Sequence, residues 1–413
     1  MSVKYSNSPA FWARLLSPFI ITIALCVPAV VTLMTHTHLS EIAGATVFGI
    51  AIVSSAFMLG WIAEAAELDL SGGLSIGLLA VIAILPEYVV DIYFAYQAGS
   101  DPAYAAYASA NLTGANRLLL GFGWPMVVFL GFGAYLVARR RGAAKQKHFT
   151  VHLENAARLD IGFLAIAAVL ALIVPAMHAY PLLLGVVQVA LFVAYLWRAS
   201  LLEKEEPELE GTAAYIGALP KIGRRVFLLI TVIIASAVIV ASAEPFADYL
   251  IGAGKASGID EFVLVQWLAP IASEAPEFIL ALMFGFKGKP GVGLSILLSS
   301  KINQWTALAG SMPIAYVMGG GTGAALPMDA RQIEEFSLTA TQALLGVAVI
   351  MALRIRLSEA VVLFGLFAIS FIDTDTNFRW LMTGLYAVLA VVYLVVHRKD
   401  ILPSLRAPFS KSF

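Results

Sequence analysis

Two dipeptides carry the chemistry of this sequence. Pro86-Glu87 and Pro276-Glu277 each stand deep within a long apolar run. A charged residue at the centre of a membrane helix costs roughly 2.5–3.5 kcal/mol on insertion scales, so a carboxylate placed there points to a function. Asp91 follows Glu87 by four residues and lies near the same helix face; Glu274 precedes Glu277 by three, with the same consequence. The prolines add oxygens. Proline lacks an N–H and clashes with the carbonyl four residues back, so Pro86 frees the carbonyl of Ile82 and Pro276 that of Ala272. Pro270 is expected to interrupt the second helix a turn and a half earlier. Carboxylates beside freed carbonyls are what a hard cation seeks. Ser273 and Gln266 offer further oxygens on the second helix, and Asn111, Asn116, Asn303, Ser299 and Ser300 offer more on two others. Their glycine and alanine neighbours permit close helix packing, and the amides serve equally well as interhelical hydrogen-bond glue.

The elements that position these residues must lie in a bilayer. Of 413 residues, 60% are hydrophobic and 13% charged, with a mean hydropathy of +0.86. Soluble domains carry about a quarter charged residues. Apolar blocks run over 18–35, 43–65, 74–98, 105–138, 159–176, 181–199, 226–250, 260–284, 292–318, 337–353, 358–372 and 379–396. This predicts an all-α polytopic membrane protein of about twelve transmembrane helices. The runs are continuous and lack the alternation of a membrane barrel. The block 105–138 is long for one span and 358–372 is short. The first block reads as a retained helix rather than a signal peptide. Cys26 is the single cysteine, which excludes an internal disulfide and a cysteine-based metal site.

Basic residues set the orientation. With the amino terminus inside, 21 of the 26 Lys and Arg residues fall in inner loops, and Lys255, Arg331 and Arg379 in outer ones; Arg117 and Lys301 lie within membrane blocks. Both termini are then expected in the cytoplasm, at a plasma (inner) membrane. Glu64, Glu67 and Asp69 read as a solvated inner helix end, and the acidic stretch Leu201–Gly211 as a solvated linker. The topology also inverts two similar segments. Gly72–Gly99 holds the first Pro-Glu and runs outward; Gly258–Gly288 holds the second and runs inward. Each is followed by an amide-bearing helix, Ala110–Gly123 and Ile296–Gly310. Inverted repeats with interrupted helices recur in secondary transporters.

These motifs resemble those of the cation/calcium antiporter superfamily, which includes sodium/calcium and calcium/proton exchangers. That family carries, in each repeat, a G-T-S-x-P-E-like helix and then a G-N-x-x-G-S-N-x-x-N-like helix. Here the first pair reads A-I-L-P-E at Ala83–Glu87 and A-N-L-T-G-A-N at Ala110–Asn116; the second reads A-S-E-A-P-E at Ala272–Glu277 and S-S-K-I-N at Ser299–Asn303. The resemblance implies two inverted five-helix repeats with extra N- and C-terminal helices. The divisions would be an N-terminal segment at 1–42, a first repeat at 43–200, a linker at 201–223, an inverted repeat at 224–372 and a C-terminal helix and tail at 373–413. It implies Glu87 and Glu277 as the carboxylates that bind calcium, Asn111 beside them as a ligand, and Asn116 and Asn303 as support; Glu274, one turn before Glu277, is a further candidate metal ligand from its spacing alone.

The sequence departs from the family pattern in places. Ala83 and Ile84 replace the hydroxyl pair that resembles sodium ligands, Glu274 stands where a small hydroxyl residue is expected, Leu298 falls near the position of Asn111, and Lys301 replaces a glycine. An intramembrane lysine needs a partner; Glu274 and Asp91 are the expected ones, with two alternatives: Lys301 occupies a former cation position and releases it by deprotonation, or it snorkels toward the cytoplasm. The expected function is exchange of calcium for protons or sodium by alternating access, with no enzymatic activity and no bound cofactor. A monovalent cation/proton antiporter is the alternative. A channel filter, the H-E-x-x-H and G-x-S-x-G motifs, and a phosphate-cradling loop are all missing, which argues against a channel, an enzyme, and nucleotide or nucleic-acid partners. The expected partners are cations and the lipid bilayer.

Overall fold

The computed structural model describes residues 4–5, 7–66, 68–69, 85, 87–142, 148–202, 209–372 and 375–410. The chain divides into two compact units, Met1–Tyr93 with Ala199–Pro276, and Phe94–Arg198 with Glu277–Phe413. Each draws on both halves of the sequence.

The first unit holds α1 (Pro9–Thr35), α2 (Glu41–Ala66), the start of α3 (87–97), α9 (Gly211–Gly217), α10 (Lys221–Ser257) and α11 (Glu261–Phe286) as far as Pro276. Ser8 caps α1 by accepting the Phe11 N–H at 3.3 Å, and Pro9 follows in the first turn, where its missing N–H costs nothing. Small residues bring α2 against α10: Gly44 faces the Tyr249 ring, and a Cβ on Gly49 would stand 3.0 Å from Phe246. Helix α10 ends at Gly258, whose φ of 66° closes the last turn in the left-handed region that favours glycine. Ile20, Ile21, Leu229 and Ile233 are exposed on α1 and α10, as lipid-facing residues should be.

The second unit holds the rest. Helices α4 (Tyr104–Leu118) and α5 (Trp124–Arg140) are joined by a π turn, Leu119–Gly123. Next come α6 (Ala157–Ala171), α7 (Ile173–Met177) and α8 (Leu182–Ala199). After α11, helices α12 (Pro290–Asn303) and α13 (Ala309–Met318) are joined by a second π turn, Gln304–Leu308. Helices α14 (Ala330–Ile350), α15 (Leu357–Ile372), α16 (Thr376–Val396) and α17 (Arg398–Arg406) complete it. A capping box of Asp329 and Gln332 starts α14, with the Gln332 N–H 2.9 Å from the aspartate.

Two short antiparallel ribbons tie loops together. Strand β1 (Thr150–His152) pairs with β4 (Arg354–Arg356) in the register Val151 to Ile355, and β2 (Ala179–Pro181) pairs with β3 (Ala325–Pro327) in the register Tyr180 to Leu326.

Among the described residues, nine helices are long and apolar enough to cross a membrane, and Leu357–Phe371 is a shorter apolar helix. The chain is an all-α polytopic membrane protein. The long block 105–138 is one continuous 37-residue helical path through its π turn. Much of the block 74–98 lies outside the described residues. Helix α11 runs unbroken through Pro270 and Pro276, so the expected interruption at Pro270 does not occur; two π turns are described instead, each after an amide-bearing stretch. The linker stretch also holds a helix: α9 buries Ala213 and Ile216.

Candidate cation site

In the first unit, the described stretch of α3 opens at Glu87 and carries Asp91 one turn later; the two are 5% and 0% exposed. Pro86 and Ile82 lie outside the described residues. Helix α11 carries Gln266, Ser273 and Glu274, all buried, with Glu274 2% exposed. The Ser273 hydroxyl donates to the carbonyls of Ala269 at 3.2 Å and Pro270 at 3.4 Å, which draws it back onto its own helix. Pro276 packs 3.8 Å from where a Cβ on Gly60 of α2 would lie. Three carboxylates are therefore buried in this unit, and burying a carboxylate is costly unless its charge is balanced. The same unit has a cavity of about 560 Å³ lined by Phe246, Leu250, Leu268, Ile271 and Ala272 among others. Among the described residues, none that lines it is charged.

In the second unit, Glu277 is half-buried and its neighbour Phe278 packs on the first π turn, 2.7 Å from where a Cβ on Gly123 would stand. Asn111 and Asn116 on α4, and Asn303 on α12, are buried. The Lys301 ammonium donates to the Asn116 carbonyl at 2.7 Å and to the Asn116 Oδ1 at 3.0 Å. Lys301 is 1% exposed, which overturns snorkelling, and these bonds bring it two neutral oxygens of Asn116. The Asn116 amide nitrogen donates to Leu112 O at 3.0 Å, which fixes Oδ1 toward the lysine. Ser299 is exposed and stands 3.4 Å from the Tyr195 hydroxyl; Ser300 is half-buried.

The largest addition to the sequence reading is a chain of buried charges in this unit. Arg117 is paired with Glu335 at 2.7 Å and donates to Ser370 at 3.0 Å. Arg379 is paired with Glu335 at 2.9 Å and Glu334 at 3.0 Å. Arg379 is thus not an outer-loop residue but buried in the first turn of α16. Glu334 and Glu335 stand in α14, which begins seven residues before the apolar block 337–353. Two arginines and two glutamates neutralise one another, which is the condition for burying them. An intramembrane arginine demands an acid, and Arg117 was the signal that pointed to one.

Near the C-terminal end of α2, Asp69 accepts from Arg224 at 2.5 Å and lies 3.3 Å from Arg225, and Glu64 accepts the Glu210 N–H at 2.7 Å. These are ion-pairing and capping acids rather than a solvated end; Glu67 lies outside the described residues. The hydrogen bond from Arg224 holds the Asp69 carboxyl below its usual range. Among the described residues, no three His, Cys, Asp or Glu side chains converge on a resident metal.

The structure has solved relatives. It superposes on the crystal structure of the H+/Ca2+ exchanger CAX with a TM-score of 0.89 at 35% identity, over 97% of this chain and 99% of that one. Native YfkE matches with a TM-score of 0.62 at 17% identity, over 90% of this chain and 100% of that one, and so supports the fold. The sodium-calcium exchanger NCX_Mj matches with a TM-score of 0.50 at 17% identity, over 81% of this chain and 98% of that one, and adds to the fold alone. A search of curated sequences gives no match. The sequence model described as "Sodium/calcium exchanger protein" matches residues 16–201 and 227–396, which is most of the chain. The protein belongs to the sodium/calcium exchanger family.

Proposed function

We propose that this secondary-active cation antiporter exchanges calcium for protons by alternating access. The observation that carries the reading is the near full-length likeness to the H+/Ca2+ exchanger CAX at 35% identity. The buried acids support it. Glu87 and Glu277 are assigned as the carboxylates that hold calcium in one half of the cycle and protons in the other. Asn111 and Glu274 supply further oxygens, Asp91 and Lys301 set the charge around them, and Ser273, Ser300 and Asn303 support the helices. Two carboxylates neutralise one calcium ion or two protons, so the loaded carrier has the same charge in both directions. Protons are preferred over sodium because Ala83 and Ile84 provide no hydroxyl ligands.

The finer architecture belongs to the same proposal: two inverted repeats at 43–200 and 224–372, about twelve spans, and both termini on the cytoplasmic side of an inner membrane. Two features support it. Every described loop pairing joins segments assigned to one side: β1 with β4 and Asp69 with Arg224 inside, β2 with β3 outside. The two π turns also follow the amide-bearing segments of the two halves at matching places.

A monovalent cation/proton antiporter is the second reading, favoured by the buried Lys301 ammonium, which lowers the fixed negative charge. Uptake of calcium by proteoliposomes under a proton gradient, against sodium and potassium gradients, separates the two readings. Calcium uptake driven by protons supports the first. Proton-driven sodium or potassium flux without calcium flux supports the second.

A further inference from the structure

Asn116 and Lys301 occupy matching places in the two halves. Asn116 stands three residues before the π turn Leu119–Gly123, and Lys301 three residues before the π turn Gln304–Leu308. The two side chains meet each other. The lysine ammonium takes both the carbonyl and the Oδ1 of Asn116, at 2.7 and 3.0 Å. The face of Trp305, in the second π turn, stands 5.9 Å from the ammonium. Everything in this arrangement is buried: Asn116 and Trp305 are fully enclosed and Lys301 is 1% exposed.

Each contact is one that a free monovalent cation makes. A π turn shifts the backbone hydrogen-bond register by a residue, and such turns gather at functional sites. Asn116 O shares the Leu119 N–H with Ala115 O and also turns to the ammonium. Carbonyl and amide oxygens replace the water shell of a potassium or sodium ion, and an aromatic face attracts a cation at about 6 Å. An ammonium group is close to potassium in size and takes the same oxygens.

We infer that Asn116 and Trp305 form a monovalent-cation position that the chain fills with its own Lys301 ammonium. The lysine is a tethered cation. No sodium or potassium ion binds there. The inference rests on the antiporter reading for its meaning in transport, but not for its chemistry.

Chemical rescue tests this. Purified wild-type protein and the variants Lys301→Ala and Lys301→Met are melted in detergent with ammonium, potassium, sodium or choline chloride at equal ionic strength. The wild type is expected to show the same midpoint in all four salts. Lys301→Ala, which opens the position, is expected to melt lower and to regain about 3 °C or more in ammonium or potassium relative to choline, which is too large to enter. Lys301→Met, which fills the space without charge, is expected to show no such difference. Equal midpoints for Lys301→Ala in all four salts overturn the inference, as does a shift of the same size in wild type and both variants. If Lys301→Ala does not fold, Lys301→Asn is melted in its place with the same two criteria. The readout is cation binding rather than calcium flux, so a chain that fails to exchange calcium still gives a decisive answer.

Discussion

Arg117 on α4 and Glu335 on α14 form an ion pair of 2.7 Å between side chains that are 3% and 0% exposed, although 218 residues separate them. Glu335 also meets Arg379 on α16, so a single carboxylate ties three helices of the second unit. Removing one partner of a buried pair leaves the other charge uncompensated and costs about 3–5 kcal/mol. Arg117→Met and Glu335→Gln are each expected to lower the unfolding midpoint by that order in detergent. The double variant Arg117→Met/Glu335→Leu is expected to recover part of the loss, because Arg379 keeps Glu334. Single-variant losses below about 1 kcal/mol contradict the pairing.

The glycines of the first π turn give a second prediction. A Cβ on Gly123 would stand 2.7 Å from Phe278, the residue after Glu277. Gly123→Ala must push that ring and with it the start of the α11 segment in the second unit. Overpacking of this kind costs about 1–3 kcal/mol. Transport is expected to fall several-fold while the protein still folds, and Phe278→Leu in the same chain is expected to restore part of it. Undiminished transport by Gly123→Ala contradicts a tight contact at the turn.

Asp69 supplies a pH dependence. Its carboxyl is held below the ordinary value of 3.8, chiefly by the hydrogen bond from Arg224. A depressed acid stabilises the fold above its unfolded-state pKa, and that stability is lost as pH falls through the lower folded-state value. Asp69→Asn is therefore expected to melt lower than wild type at pH 7, by about 1 kcal/mol for a partly exposed charged hydrogen bond. The gap is expected to persist to pH 5 and narrow only below about pH 4. A gap that has closed by pH 6 contradicts the assignment.

The membrane class and the ends of most helices were legible in the sequence because apolar length alone dictates them. The Pro-Glu acids stand out in the sequence because a carboxylate within an apolar run is costly; the structure buries Glu87 and half-buries Glu277. Other features depend on partners remote in sequence. Glu334 and Glu335 lower local hydropathy, so the block was drawn from 337, yet α14 begins at Ala330. Their burial follows only once Arg117 and Arg379 arrive from other helices. The π turns leave no mark in composition, since they are a choice of backbone hydrogen-bond register. The bonds from Lys301 to Asn116 leave no mark in the sequence either, because a backbone carbonyl and an amide oxygen carry no charge that would announce them.

The central claim is that Glu87 and Glu277 carry calcium against protons, and one measurement tests it most directly. Purified wild-type protein, Glu87→Gln and Glu277→Gln are reconstituted in liposomes, and calcium uptake is followed under an imposed proton gradient with sodium absent. Rapid uptake by the wild type, with a loss of about 100-fold or more in each variant, is the predicted result; it corresponds to losing about 2.7 kcal/mol or more of transition-state stabilisation. Proton-driven calcium uptake that survives either substitution, or no calcium uptake by the wild type at all, contradicts it.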